Sequence, residues 1–258
     1  MLFRSGIELL AGNLGLATDI SSRLDRVDAV LDSLEASLDS MHGTTADLDA
    51  AAARMSAVRD ASWSIRRDRL RTADAVHALA GRGAAPGTLH AYLSVQQALS
   101  AIDRMEVRGR DSAGLSVIVW GADLAGVTAQ WSDRIAARST DPLFTNNSVR
   151  SAGGNLVFVY KAAAEIGELG DNTRNMRAAI SADDILRAAV SVPGARVTVL
   201  GHTRWASVGI ISEPNAHPVN SEEVDGASGF LSVAVLNGDV DNHRSEEHTS
   251  ELQSHLNL

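Results

Sequence analysis

Apolar residues recur from position 18 onward at alternating steps of three and four, at Leu24, Val27, Leu31, Leu34 and Leu38, with Asp and Ser opposite. That stripe predicts an amphipathic helix facing a core. Met41-His42-Gly43 ends it, and Thr44 followed by Asp47 reads as a fresh N-cap. Leu48, Ala51, Met55, Val58 and Ile65 mark a second helix that runs on through the arginine-rich 66–71 to Leu79. The pair predicts an antiparallel helical hairpin. Residues 1–17, apolar and Gly-rich, suit a short helix and a loop. Gly81 to Gly87 reads as a linker, and a helix is expected from Thr88 to about Glu106. A tight polar turn, 107–112, then leads into a strand, Leu115 to Trp120. Next come a helix from Leu124 to about Ala137, a polar loop, and a strand from Leu156 to Tyr160. A helix from Asp183 to Ala189 follows, with Ser181 as its cap. Val197, Val199 and Leu200 predict a buried strand ended by Gly201, and Leu231, Val233 and Val235 alternate as another.

The 258 residues, 45% hydrophobic, allow one large domain or two small ones with a true core. A net charge of -9 argues against nucleic acid or an anionic membrane as the main partner. No apolar run approaches the roughly twenty residues that span a bilayer, and the start lacks the build of a signal peptide. A cytoplasmic protein is expected. There is no cysteine, so the sequence contains no disulfide, thiolate metal site or catalytic thiol. Arg66, Arg67, Arg69 and Arg71 suggest a phosphate patch, but Asp60, Asp68 and Asp74 beside them favour a solvated helix face. His202 and His217 have no acidic ligand pattern between them, which favours structural hydrogen bonds over a metal. No cofactor is expected.

The densest chemistry follows Gly201. His202, Thr203, Arg204, Trp205 and Ser207 form a polar knot read as a loop after the strand. A guanidinium grips a planar carboxylate by two parallel hydrogen bonds, and a neighbouring indole can wall off water. Asn237-Gly238 offers a side-chain amide and a Gly N–H, a compact donor pair for an oxyanion. Alone, each feature has a plain alternative: Asn-Gly is a common hairpin turn, and an Arg-Trp pair a common surface stack.

In combination they carry a resemblance. His202-Thr203-Arg204-Trp205-Ala206-Ser207-Val208-Gly209, Asn215-Ala216-His217-Pro218 and Leu236-Asn237-Gly238 with Asp241-Asn242-His243 resemble, in the same order, H-T-R-W-A-T-H-G, N-A-H-P, and H-N-G with E-N-H. Those are motifs of the class-II glutamine amidotransferase domain of glutamine:fructose-6-phosphate aminotransferases (glucosamine-6-phosphate synthases). Upstream, Leu99 to Gly114 is similar to the family's L-x-x-L-E-Y-R-G-Y-D-S-A-G. The related phosphoribosyl amidotransferases carry Tyr in place of Trp205 and N-A-Q-P in place of N-A-H-P. The hexose-phosphate branch therefore fits better.

The resemblance implies an α+β fold, part of the four-layer αββα sandwich of N-terminal-nucleophile hydrolases, with an inserted N-terminal helical hairpin. It divides the chain into the insertion, 1–80, a partial amidotransferase domain, 81–243, and a tail, 244–258. That tail reads like a translated sequencing adapter and is expected to be non-native. By resemblance Arg204 takes the glutamine α-carboxylate, Trp205 and Ser207 line the pocket, and Asn237 and Gly238 are oxyanion donors. Arg108, Asp111, His202 and Thr203 support the pocket. Val208 stands where the family has His. The nucleophilic Cys is expected on a strand before Met1, so this chain is expected to be inactive. The implied partners are glutamine, a sugar-isomerase domain of the same protein and a second copy in a homodimer. Three alternatives stay open: a non-catalytic glutamine-binding module, another class-II amidotransferase, or an interaction protein built on residues 18–80.

Overall fold

The computed structural model describes residues 2–38, 44–109, 111–141, 143–163, 168–205, 210–221 and 231–236. The expected helix stop at 41–43, Ser207, Val208, Asn237, Gly238, Asp241-Asn242-His243 and the tail 244–258 lie outside them. Helix and antiparallel sheet are both present, in two compact units, Met1–Leu89 and His90–Leu258.

The first unit is helical: α1 (Leu2–Gly12), α2 (Leu14–Leu38), α3 (Thr45–Ser64), a π-helical turn (Ile65–Leu70) and α4 (Arg71–Ala80). Asn13 breaks α1 from α2, and its side chain accepts the Leu16 N–H at 3.0 Å. That cap starts α2 at Leu14, ahead of the start expected near 18. Thr44 caps α3 by accepting the Asp47 N–H. Cross-links fix the direction of the α2–α3 pair. Arg59 reaches Asp32 and Glu35, Ser62 reaches Asp28, and Arg66 reaches Asp25 and Asp28. Partner numbers fall on α2 as they rise on α3, so the helices are antiparallel.

Two expectations are corrected here. The partners of Arg66 come from α2, not from Asp60, Asp68 or Asp74, while Arg67 lies 5.0 Å over the Trp63 ring. The apolar stripe of α2 is not a core face either: Leu31 is buried, but Val27 is 37% and Leu34 49% exposed. A single facing helix covers only a narrow strip, and its cross-links are mostly ionic. The core of this unit lies elsewhere, among Ile7, Leu10 and Ala11 of α1 and Leu70, Ala73, Val76 and Leu79 around α4.

The boundary between units falls inside α5 (Pro86–Met105), which begins at a proline suited to the first helical turn. A 3₁₀ turn, Glu106–Arg108, leads to β1 (Ser112–Trp120). Then come α6 (Ala125–Gln130), α7 (Ser132–Arg138), β2 (Val149–Ala152), β3 (Asn155–Ala163), α8 (Asp171–Ala182), α9 (Asp184–Val190) and β4 (Arg196–Arg204). Trp131 breaks the helix expected over 124–137 into α6 and α7. The cap of α9 is Asp183, which accepts the Ile185 and Leu186 N–H groups, because α8 occupies Ser181. The pattern gave no sign of α8, whose sequence is polar apart from a few positions such as Met176 and Ile180.

All four strands pair antiparallel in the order β2-β3-β1-β4. Gly153 and Gly154, both at positive φ, make the tight β2–β3 turn. Alternate residues of each strand face opposite sides. On one side Tyr160 donates to Asp183 beneath α9, and Gly201 admits the Ile102 side chain of α5. On the other side Val157 and Val159 pack with Phe144, and against them lie Ile118, Leu231 and Val233. Val233 belongs to a second ribbon, β5 (Val219–Asn220) paired with β6 (Val233–Ala234). The order through this unit is helices, sheet, ribbon.

Candidate functional site

The strand expected to stop at Gly201 continues to Arg204. Residues 201–204 pair with Leu115 to Ser112 of β1, so His202, Thr203 and Arg204 are strand residues, not loop residues. The ladder overrides the local glycine signal. Gly114 lies opposite His202 on one flank and Lys161 of β3 on the other. All three therefore share the ribbon-facing side, with Arg204 and Ser112 one step along it.

The sequence motifs meet around this row. Gly114 packs so tightly on the 215–218 segment that an added Cβ would stand 2.3 Å from the His217 carbonyl oxygen. The His217 ring meets the His202 ring edge-on at 4.7 Å. Its Nδ1 faces the Leu236 N–H at 3.5 Å, the residue just before Asn237-Gly238. Asn215, buried, donates to the Ile210 carbonyl at 3.0 Å, and the Arg204 guanidinium donates to the same oxygen at 3.3 Å. On the helix side, a Cβ at Gly109 would lie 3.0 Å from the Thr203 hydroxyl, so the 106–109 turn abuts β4.

Both imidazoles are held neutral. Burial, aided by His202, Arg204 and Lys161, depresses the His217 pKa to about 4. Burial and Arg204 also lower that of His202. Arg204 and Lys161 are the two cations acting on the His217 ring.

Trp205 does not wall off the patch. Its side chain is 72% exposed, because β4 ends at Arg204 and the next residue projects beyond the sheet. Arg108 is exposed and makes no visible clamp; the buried Glu106 performs the tethering instead, accepting the Gly170 N–H at the start of α8. Asp111 is half-buried in the turn leading to β1.

Lys161 escaped the sequence reading. It is 1% exposed, its backbone N–H donates to Asn146 Oδ1 at 3.2 Å, and its ammonium lies 5.7 Å from the Phe144 ring. The usable signal was a lone cation inside the apolar run Leu156 to Ala163. Among the described residues no group of three His, Cys, Asp or Glu side chains forms a metal site, and no helix is long and apolar enough to cross a membrane. No family model, curated protein or solved structure matches the chain.

Proposed function

We propose that residues 81–243 are part of the glutaminase domain of a glutamine:fructose-6-phosphate aminotransferase. In that reading the parent protein releases ammonia from glutamine and passes it to a sugar-isomerase domain, which makes glucosamine 6-phosphate. One observation carries it: blocks separated by up to about a hundred residues in sequence converge in space. Gly109 and Gly114 of the first block abut Thr203 of the second and His217 of the third, and His217 reaches Leu236 at the head of the fourth. The helix–sheet–ribbon order supports a partial αββα sandwich.

Arg204 is the clamp for the glutamine α-carboxylate, since a planar carboxylate takes two parallel N–H bonds from a guanidinium. Ser207 adds a hydroxyl contact, and Asn237 and Gly238 donate to the oxyanion formed when a thiolate attacks the side-chain amide. The chain has no cysteine, so it is expected to bind glutamine without hydrolysing it. That absence also favours a second reading, a glutamine-binding module that regulates another activity. Ammonia release by the protein with its sugar domain separates the two.

Calorimetric titration of the chain tests the clamp. Glutamine should bind, and an amide lacking the α-carboxylate should bind at least tenfold more weakly. Charge-assisted hydrogen bonds contribute about 1.5–3 kcal/mol, so Arg204→Lys should weaken glutamine binding roughly ten- to a hundredfold. If wild type and Arg204→Lys treat both amides alike, Arg204 is not the clamp.

A further inference from the structure

We infer that Gly114 is a positioning residue: its missing side chain is the seat on which the His217 carbonyl rests, and this seat sets the placement of the strand that leads into Asn237-Gly238. The inference rests on the amidotransferase reading for its functional meaning and on geometry alone for the seat.

The contact is the tightest of its kind in the described residues. An added Cβ at Gly114 would stand 2.3 Å from the His217 carbonyl oxygen, 3.0 Å from Lys161 Cγ and 3.2 Å from the Tyr160 carbonyl. The first and last of these are backbone, which cannot rotate aside as a flexible side chain can. Gly114 also lies on an inner strand, paired with Lys161 of β3 on one flank and His202 of β4 on the other, so β1 cannot retreat. The segment that yields is therefore 215–218. Two residues beyond His217, β5 begins and pairs with β6, Val219 opposite Ala234 and Asn220 opposite Val233. His217 also faces the Leu236 N–H. Displacement at His217 thus passes by backbone pairing to the residues just before the oxyanion donors. The same displacement exposes the half-buried His217 ring further to water. The charged and titratable groups acting on that ring are His202 and Arg204 from β4 and Lys161 from β3.

The test is ring titration of the full chain by NMR, comparing wild type, Gly114→Ala and, as a control, Gly126→Ala, where an added Cβ meets nothing within 4 Å. Burial is the first cause of the low His217 value, so Gly114→Ala should raise its midpoint from about 4 by a unit or more toward 6.5, while the control leaves it unchanged. An unmoved midpoint with the β1–β3 amides still protected overturns the seat. Should Gly114→Ala lose the whole sheet, the wild-type chain decides: nuclear Overhauser contacts between the Gly114 Hα protons and the protons of residues 217 and 218 support the seat, and their absence overturns it. Neither readout uses glutamine. Failure of the wild-type chain to bind glutamine would sink the proposed function and leave the seat standing.

Discussion

The His217 imidazole holds its neutral form down to about pH 4, because burial, and then the nearby cations, oppose a second proton. An unfolded histidine titrates near 6.5. Between those values the unfolded chain binds a proton that the folded ring refuses, so folding stability must rise with pH across that window. His202, also lowered, acts in the same direction. The melting temperature should therefore climb from about pH 4 to 6.5 and level off above, apart from other groups. His217→Asn should flatten part of the climb; profiles that run parallel in variant and wild type would mean that the half-buried ring is not held neutral by its surroundings. This residue was legible only in outline. A hydrogen-bonding role could be read from the sequence and is met in the contact with the Leu236 N–H, but the carbonyl seat at Gly114 could not, since it joins residues about a hundred positions apart.

Among the elements, α9 depends most on one side chain. Asp183 caps it through Ile185 and Leu186, takes two bonds from Arg138 at 3.0 and 2.6 Å, and accepts the Tyr160 hydroxyl at 2.7 Å. Despite burial, these donors hold its carboxyl below the usual range. Removing one partner of a buried pair leaves the other charge unpaired and costs about 3–5 kcal/mol. Asp183→Ala should lower the urea midpoint accordingly. Asp184→Ala, whose partner Arg134 is 3.8 Å away at the surface, should be close to neutral. Equal effects of the two would refute the buried network. The sequence pattern pointed to Ser181 as the cap, and the extent of α8, which takes in Ser181, moves the cap to Asp183. β4 was misread for a similar reason. Gly201 looks like a stop along one strand, yet its pairing with Leu115 carries the ladder through to Arg204.

At the scale of the whole molecule, periodicity gave the helices of the first unit well, including the Thr44 cap, because helix signals are local. It overestimated how much of the α2 stripe is covered, since coverage depends on what packs against it. The cores of β1, β3, β4 and β6 were legible as apolar or alternating runs, whereas the short β2 and β5 were not, and neither was the strand order, because pairing is a long-range property. That order makes β2 an edge strand among the described residues, tied to β3 by two glycines. The turn is therefore a gauge of parity. Arg150 lies opposite Val157, buried, with its guanidinium donating to the Val149 and Asp141 carbonyls and lying over Phe144. A one-residue insertion between Gly153 and Gly154 that shifted β2 by one position would turn Arg150 to the opposite face. An insertion of two would preserve its side of the sheet even if β2 slipped. Odd insertions should thus cost more stability than longer even ones, so tolerance at this tip follows the evenness of the addition and not its length.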